Sequence, residues 1–187
     1  MNKNVGLRRD YTRAPDITKA YLLGMLHDGT KHKTTYRIAQ KGLAFAKMLA
    51  SEIKRLGGKA WTYQEGKQRD VYITEFSQNL LQNVVIKTNQ DKLDYVRGYF
   101  DAEGGIAKSP SVRFYLYFAQ KNFADLQMVK EILEEFKIQT GVIHNPSKKI
   151  DPRYWRFFVK AVSYKRFIKL IGSRHPDKSQ YFQLYKG

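Results

Sequence analysis

Cysteine is absent from this 187-residue chain, which excludes disulfide frameworks and cysteine-based zinc sites and makes a reducing, intracellular setting the expectation, cytoplasmic in a prokaryote or organellar. No run approaches the roughly 18–20 apolar residues of a membrane span. The opening MNKNVGLRRDYTRAPD lacks the apolar stretch of a secretory signal. Histidine is sparse, and His27, His32, His144 and His175 never fall at the i, i+4 spacing of a helical metal site. Neither a glycine-rich phosphate loop nor a Ser/His/Asp arrangement is present, so no small-molecule enzyme is indicated. Acids are scarce too: 17 Asp and Glu stand against 34 Lys and Arg, for a net charge of +17.

What is there suits a polyanion. A domain this basic attracts nucleic acid or an anionic membrane, and no strongly amphipathic basic helix favours the membrane. The cationic residues are dispersed and interleaved with 13 Tyr and 11 Phe, and an apolar content of 42% supports a folded core. Exposed aromatics on a sheet also suit RNA bases, but the usual RNP signatures are missing. Most Phe, with Trp61 and Trp155, are read as core.

The chain nearly repeats itself. Residues 94–105, DYVRGYFDAEGG, are echoed by AYLLGMLHDG at 20–29. Each reads as an apolar helix with a central glycine and acids at its C-terminal end, where the helix dipole disfavours negative charge. A divalent cation would account for acids kept there. Arg37-Ile38-Ala39-Gln40-Lys41 recurs as Tyr117-Phe118-Ala119-Gln120-Lys121, and each copy precedes a segment with apolar residues at helical spacing. Strand-like runs follow at Ala60–Gln64 and Val71–Phe76, then at Gly141–His144 and Tyr154–Val162. Short helices are expected at Gln78–Val85 and Tyr164–Ile171. Both halves read helix, strand, strand, helix, strand, strand, helix. The division is an N-terminal extension 1–14, a first half 15–83, a linker 84–92 and a second half 93–187.

Pro15-Asp16 marks the start of the first motif helix, and Asp91 with Asp94 resembles a capping box at the second. Gly24 and Gly98 fall mid-helix, where glycine costs about 1 kcal/mol relative to alanine. Close helix–helix approach would justify that cost and bring the terminal acids near one pseudo-twofold axis.

These residues resemble the LAGLIDADG homing endonucleases, in the monomeric form with two motif copies per chain. Val96-Arg97-Gly98-Tyr99-Phe100-Asp101-Ala102-Glu103-Gly104 fits the nine-position motif and places Glu103 on the family's metal-binding carboxylate. Leu22-Leu23-Gly24-Met25-Leu26-His27-Asp28-Gly29 is one residue short when aligned on Gly24. Aligned on Asp-Gly, Asp28 takes the metal position; with Asp28 matched to the earlier acid, that position becomes Thr30. The tail Ser173-Arg174-His175-Pro176-Asp177-Lys178 extends the likeness.

The resemblance implies an α+β fold of two pseudo-twofold-related αββαββα halves, with saddle-shaped antiparallel sheets over the DNA major groove and a central pair of motif helices. It implies double-stranded DNA as partner, a monomer, and Mg²⁺ (or Mn²⁺) held by Asp28 and Glu103 for phosphodiester hydrolysis. Gln40 and Gln120 would orient the attacking water or contact the metal, and Lys41 and Lys121 would stabilise charge at phosphorus, while Asp101 serves the helix end. Strand alternation puts Arg113, Tyr115 and Tyr117 on one face, and Tyr154, Arg156, Phe158 and Lys160 on another. Of these, Arg113, Tyr115, Tyr117, Arg156 and Lys160, with Thr35 and Arg37 in the first half, are the expected groove contacts, and Lys148, Lys149 and Arg153 the expected phosphate contacts. The function implied is a site-specific endonuclease with a long target, intron-encoded or free-standing. The alternatives are a nicking enzyme, if Glu103 is the only ligand, and a non-catalytic intron-RNA maturase or DNA-binding regulator.

Overall fold

The computed structural model describes residues 17–185; the helix start expected at Pro15-Asp16 lies outside them. The first helix, α1 (Lys19–Met25), is capped by Thr18, whose side chain accepts from the Tyr21 N–H. It continues as a 3₁₀ turn over Leu26–Asp28. Strands β1 (Gly29–Lys31), β2 (Thr35–Lys41), β3 (Ala60–Gln64) and β4 (Val71–Ser77) form an antiparallel sheet in the order β1-β2-β4-β3. Helix α2 (Leu43–Arg55) covers its inner face, where the Thr74 hydroxyl donates 3.0 Å to the Ala46 carbonyl.

The second half repeats the plan. Helix α3 (Asn89–Glu103) leads into β5 (Gly104–Ile106) and β6 (Leu116–Gln120), then α4 (Phe123–Glu135), β7 (Trp155–Phe158) and α5 (Tyr164–Leu170), with a final short α6 (Pro176–Ser179). The sheet order is β5-β6-β7, again antiparallel. The expected alternation holds in the strands that form: Leu116, Phe118 and Phe157 are fully buried. Phe100, Phe118, Phe157 and Phe167 build the centre of this core, with ring centroids 5.1–6.0 Å apart.

Several local expectations give way to specific contacts. The second motif helix is capped by Thr88, not Asp91: Thr88 accepts from the Asp91 N–H, and the Asp91 carboxylate accepts from the Thr88 N–H at 2.9 Å. Asp94 instead accepts the Thr18 hydroxyl across the two halves at 3.1 Å. The strand expected to carry Arg113, Tyr115 and Tyr117 begins only at Leu116, because Ser109–Val112 close a turn through Val112 N–H to Ser109 O.

Gly141–His144 is not a strand. It makes two isolated bridges, Thr140 to Val159 and His144 to Arg156. Four residue steps on one side face three on the other, and the extra residue breaks the ladder as a bulge does. The Gln78–Val85 helix is only a 3₁₀ turn over Gln78–Leu81, and Asn83, at φ 61°, prevents its continuation. Trp61 is 44% exposed rather than core, since it shares the outward parity of β3.

Two apolar cores result, one per half, and Leu23 packs against both. They meet at α1 and α3, where each central glycine lies against the other backbone. A Cβ on Gly24 would sit 2.1 Å from the Tyr95 carbonyl oxygen, and one on Gly98 2.0 Å from that of Tyr21. Only glycine permits this approach.

Candidate nuclease site and DNA-facing surface

The helix pair delivers Asp28 and Glu103 to one end of the interface, and strand register equates them. Gly29 pairs with Ile38 and Gly104 with Phe118, and Ile38 and Phe118 each lie two residues before their glutamine. The residue before each glycine, Asp28 and Glu103, is therefore structurally equivalent, while Thr30 lies out along β1 opposite Arg37. Helix geometry explains the missing residue. Three residues of 3₁₀ helix rise about 6 Å, as do four of α-helix. The 3₁₀ turn over 26–28 thus spans what a fourth α-helical residue would have spanned.

Both carboxylates are disfavoured as anions. Burial, and then the Asp28 charge, push Glu103 up to about 7; burial also raises Asp28. Gln120 holds Glu103 in place, its Nε2 donating 2.7 Å to Oε1 and reaching the His27 carbonyl at 3.4 Å. The Gln120 Oε1 accepts from the Lys121 N–H, which fixes the amide orientation.

Two open clefts flank the helix ends. One, of about 490 Å³, brings together Asp28, Gln40 and Lys41; the other, of about 460 Å³, brings together Glu103, Gln120 and Lys121. Each half therefore gathers its own acid, glutamine and lysine. The match is incomplete at Lys121, whose ammonium lies 3.7 Å from Asp151 rather than turned onto Glu103.

Asp101 does more than finish its helix. It is buried at 2% exposure and accepts from the Tyr21 hydroxyl at 2.7 Å, the Arg174 N–H at 2.8 Å and the Ser173 hydroxyl. It thereby ties α1, α3 and the C-terminal tail together. The helix end is served by Lys178, whose Nζ donates to the Phe100 and Asp101 carbonyls at 2.6 and 2.7 Å and lies over the Phe100 ring. Burial lowers Lys178 to about 8, against the pull of Asp101, Glu103 and Asp28. Nothing local marks Lys178, because its partners lie 78 and 77 residues earlier in the chain.

His27 also acts across the halves. Its ring nitrogens meet the Tyr95 hydroxyl at 2.6 Å and Asp125 at 3.3 Å. Burial lowers its pKa, and Asp125 opposes the shift.

The expected groove residues divide between two dissimilar outer faces. On the first sheet, Thr35 and Arg37 do not stand alone: both donate to Glu75, as does Tyr63. On the second, the Arg156 guanidinium lies 5.5 Å from the Tyr117 ring centre and 4.9 Å from that of Phe158, with Tyr115 beside them. Arg113, Tyr115 and Lys160 line a shallow cleft at the far edge of that sheet. Lys148, Lys149 and Arg153 are exposed on the loop before β7, which Asn145 shapes by donating to the Asp151 carbonyl and accepting from the Ser147 N–H.

A half-buried Glu103 and an exposed Asp28, both offering hard oxygen donors, fit a divalent cation that keeps water and phosphate oxygens as its other ligands. Among the described residues, no group of three or more His, Cys, Asp or Glu is placed to hold a metal. No described helix is long and apolar enough to cross a membrane.

Residues 90–172 match the family of LAGLIDADG-like domains. A 90-residue stretch is 31% identical to homing endonuclease I-ApeI of Aeropyrum pernix, covering 48% of this chain and 38% of that protein. The match thus spans well under half the length of that relative. Among solved structures, I-DmoI in complex with DNA and Mn superposes with a TM-score of 0.60 at 22% identity, over 84% of this chain and 97% of that one. The N-terminal LAGLIDADG domain of DUF199/WhiA gives 0.64 at 18% identity, over 87% and 88%. With the paired motif helices and the equivalent terminal acids, these likenesses identify a LAGLIDADG-like domain over residues 90–172 and a LAGLIDADG-type fold over most of the chain.

Proposed function

We propose that the protein is a site-specific, divalent-metal-dependent endonuclease acting on double-stranded DNA, with one catalytic acid per half. The observation that carries this reading is the equivalence of Asp28 and Glu103 in β-register at one end of the glycine-paired helices. A site kept for binding alone has no use for two carboxylates that burial disfavours as anions, Glu103 further through the Asp28 charge, in a chain of net charge +17. I-ApeI is named as a homing endonuclease, and a glycine-to-serine variant of I-DmoI has been solved with its target DNA in the presence of Mg.

Asp28 and Glu103 would hold Mg²⁺ or Mn²⁺. When bound, the cation supplies Lewis-acid stabilisation of the phosphate and lowers the pKa of a ligated water. The chain's own residues do the rest. Gln120 fixes the Glu103 carboxylate and so its lone-pair direction. Gln40 occupies the corresponding position beside Asp28. Lys41 and Lys121, at the mouths of the two clefts, neutralise phosphate charge; Lys121 must leave Asp151 to do so. The two outer sheet faces meet the groove, and Lys148, Lys149 and Arg153 hold the backbone.

The test is cleavage of a large randomised duplex library with and without Mg²⁺, sequencing the cut ends, for the wild type, Asp28→Asn and Glu103→Gln. Metal-dependent double-strand cuts at one long motif, lost in both variants, are expected. Single-strand cuts insensitive to Asp28→Asn would make it a nicking enzyme. Specific retention of duplex without cutting in either Mg²⁺ or Mn²⁺ would turn the reading to a regulator, and neither binding nor cutting would turn it to structured RNA.

A further inference from the structure

The outer face of the first sheet carries an acid where a DNA-binding surface ordinarily has none. Across the four strands, register aligns Thr30, Arg37, Glu75 and Trp61 in one row. Glu75 lies at its centre with only 11% of its side chain exposed. An unpaired carboxylate there would repel phosphates. It is not unpaired. Oε1 accepts from Thr35 at 2.7 Å, and Oε2 accepts from Arg37 Nε at 3.0 Å and Tyr63 Oη at 2.8 Å. Burial works to raise its pKa, but these three donors outweigh burial and hold Glu75 below the usual carboxylate range.

The consequence falls on Arg37. Its guanidinium is tied through Nε, lies 5.7 Å from the Tyr63 ring centre, and remains 39% exposed. An arginine restrained at Nε keeps the edge formed by its two terminal nitrogens for a partner. That edge matches the O6 and N7 acceptors of guanine in the major groove. A free arginine would lose many rotamers on reaching a base; one already restrained loses fewer.

We infer that Glu75 is a positioning residue for sequence readout, fixing Arg37 to recognise a guanine in the half-site bound by the first sheet. The inference rests on the duplex-binding reading above. It extends that reading by assigning specificity to a residue that touches no base itself.

The test is selection of bound sequences from a randomised duplex pool by the full-length protein in EDTA, so that cutting does not deplete the pool. Wild type, Glu75→Ala, Glu75→Gln and Arg37→Ala are compared. Wild type should show one guanine preference that Arg37→Ala abolishes. Glu75→Ala should weaken preference at that same position by about tenfold, leave the other positions intact, and keep or raise affinity for unrelated duplex because a negative charge has gone. Glu75→Gln, which preserves shape, should fall between and covers the case in which the alanine variant fails to fold. In a fifth protein combining Glu75→Ala with Arg37→Ala, the loss should be no greater than in Arg37→Ala alone. Unchanged preference in both Glu75 variants, or loss spread evenly over all positions, overturns the inference while leaving DNA binding intact. A wild type that retains no duplex overturns both.

Discussion

Replacing Gly98 with alanine tests the helix-pair geometry on which the paired acids depend. Propensity alone favours the change, because alanine in a helix interior is better than glycine by about 1 kcal/mol. Packing opposes it. The new Cβ would lie 2.0 Å from the Tyr21 carbonyl oxygen and 2.8 Å from its carbon, so the closer contact falls about 1.5 Å short of an ordinary separation of roughly 3.5 Å. Both clashing atoms are backbone, so no rotamer change relieves them. The helices must part, and a gap of 0.5–1 Å already forfeits about a quarter to a half of each dispersion contact along the seam. Overpacking costs about 1–3 kcal/mol, and two backbone atoms that cannot move aside put this case at the upper end, about 3 kcal/mol. Allowing for the propensity gain, a net loss of about 2 kcal/mol is expected, which for a chain of this size lowers Tm by about 4–8 °C. Urea unfolding of Gly98→Ala beside Gly141→Ala is the assay. A Cβ at Gly141 meets nothing closer than 3.6 Å, so that variant should sit near wild type. If Gly98→Ala proves as stable as wild type, the close approach of α1 and α3 is wrong, and with it the convergence of Asp28 and Glu103.

Lys178→Met should cost about 1.5–3 kcal/mol in urea unfolding, since it leaves the Phe100 and Asp101 carbonyls without their charged donor. Thr88→Ala should cost about 1 kcal/mol by removing the cap of α3. Hydrogen bonds from Thr88 hold Asp91 below its unfolded value, so the box contributes above about pH 4 and is lost as pH falls through the lower folded value. The stability gap between wild type and Asp91→Ala, which removes the carboxylate that accepts from the Thr88 N–H, should accordingly shrink in acid. Lys148→Ala with Lys149→Ala should weaken binding to all duplexes alike and reduce the slope of log affinity against log salt by about 0.9 for each phosphate no longer neutralised, measured by fluorescence anisotropy.

The sequence by itself determined the plan. Mid-helix glycines at 24 and 98, the repeated Ala-Gln-Lys strand ends and period-two burial in β6 and β7 are local signals, and each meets its expected partner because backbone geometry leaves few ways to satisfy it. Tertiary structure decided the rest. Whether Asp28 or Thr30 matches Glu103 depended on how tightly the chain winds after Met25, and a 3₁₀ turn differs from an α turn by a fraction of an ångström per residue, which composition does not encode. The bulge at 140–144 turned on the pairing count across two segments. Lys178 and Glu75 were invisible because their roles are made by groups distant in the chain or on neighbouring strands: three donors converging on one carboxylate, two carbonyls at the end of another helix. Periodicity reports which face a side chain takes; only the folded chain brings together the groups that meet there.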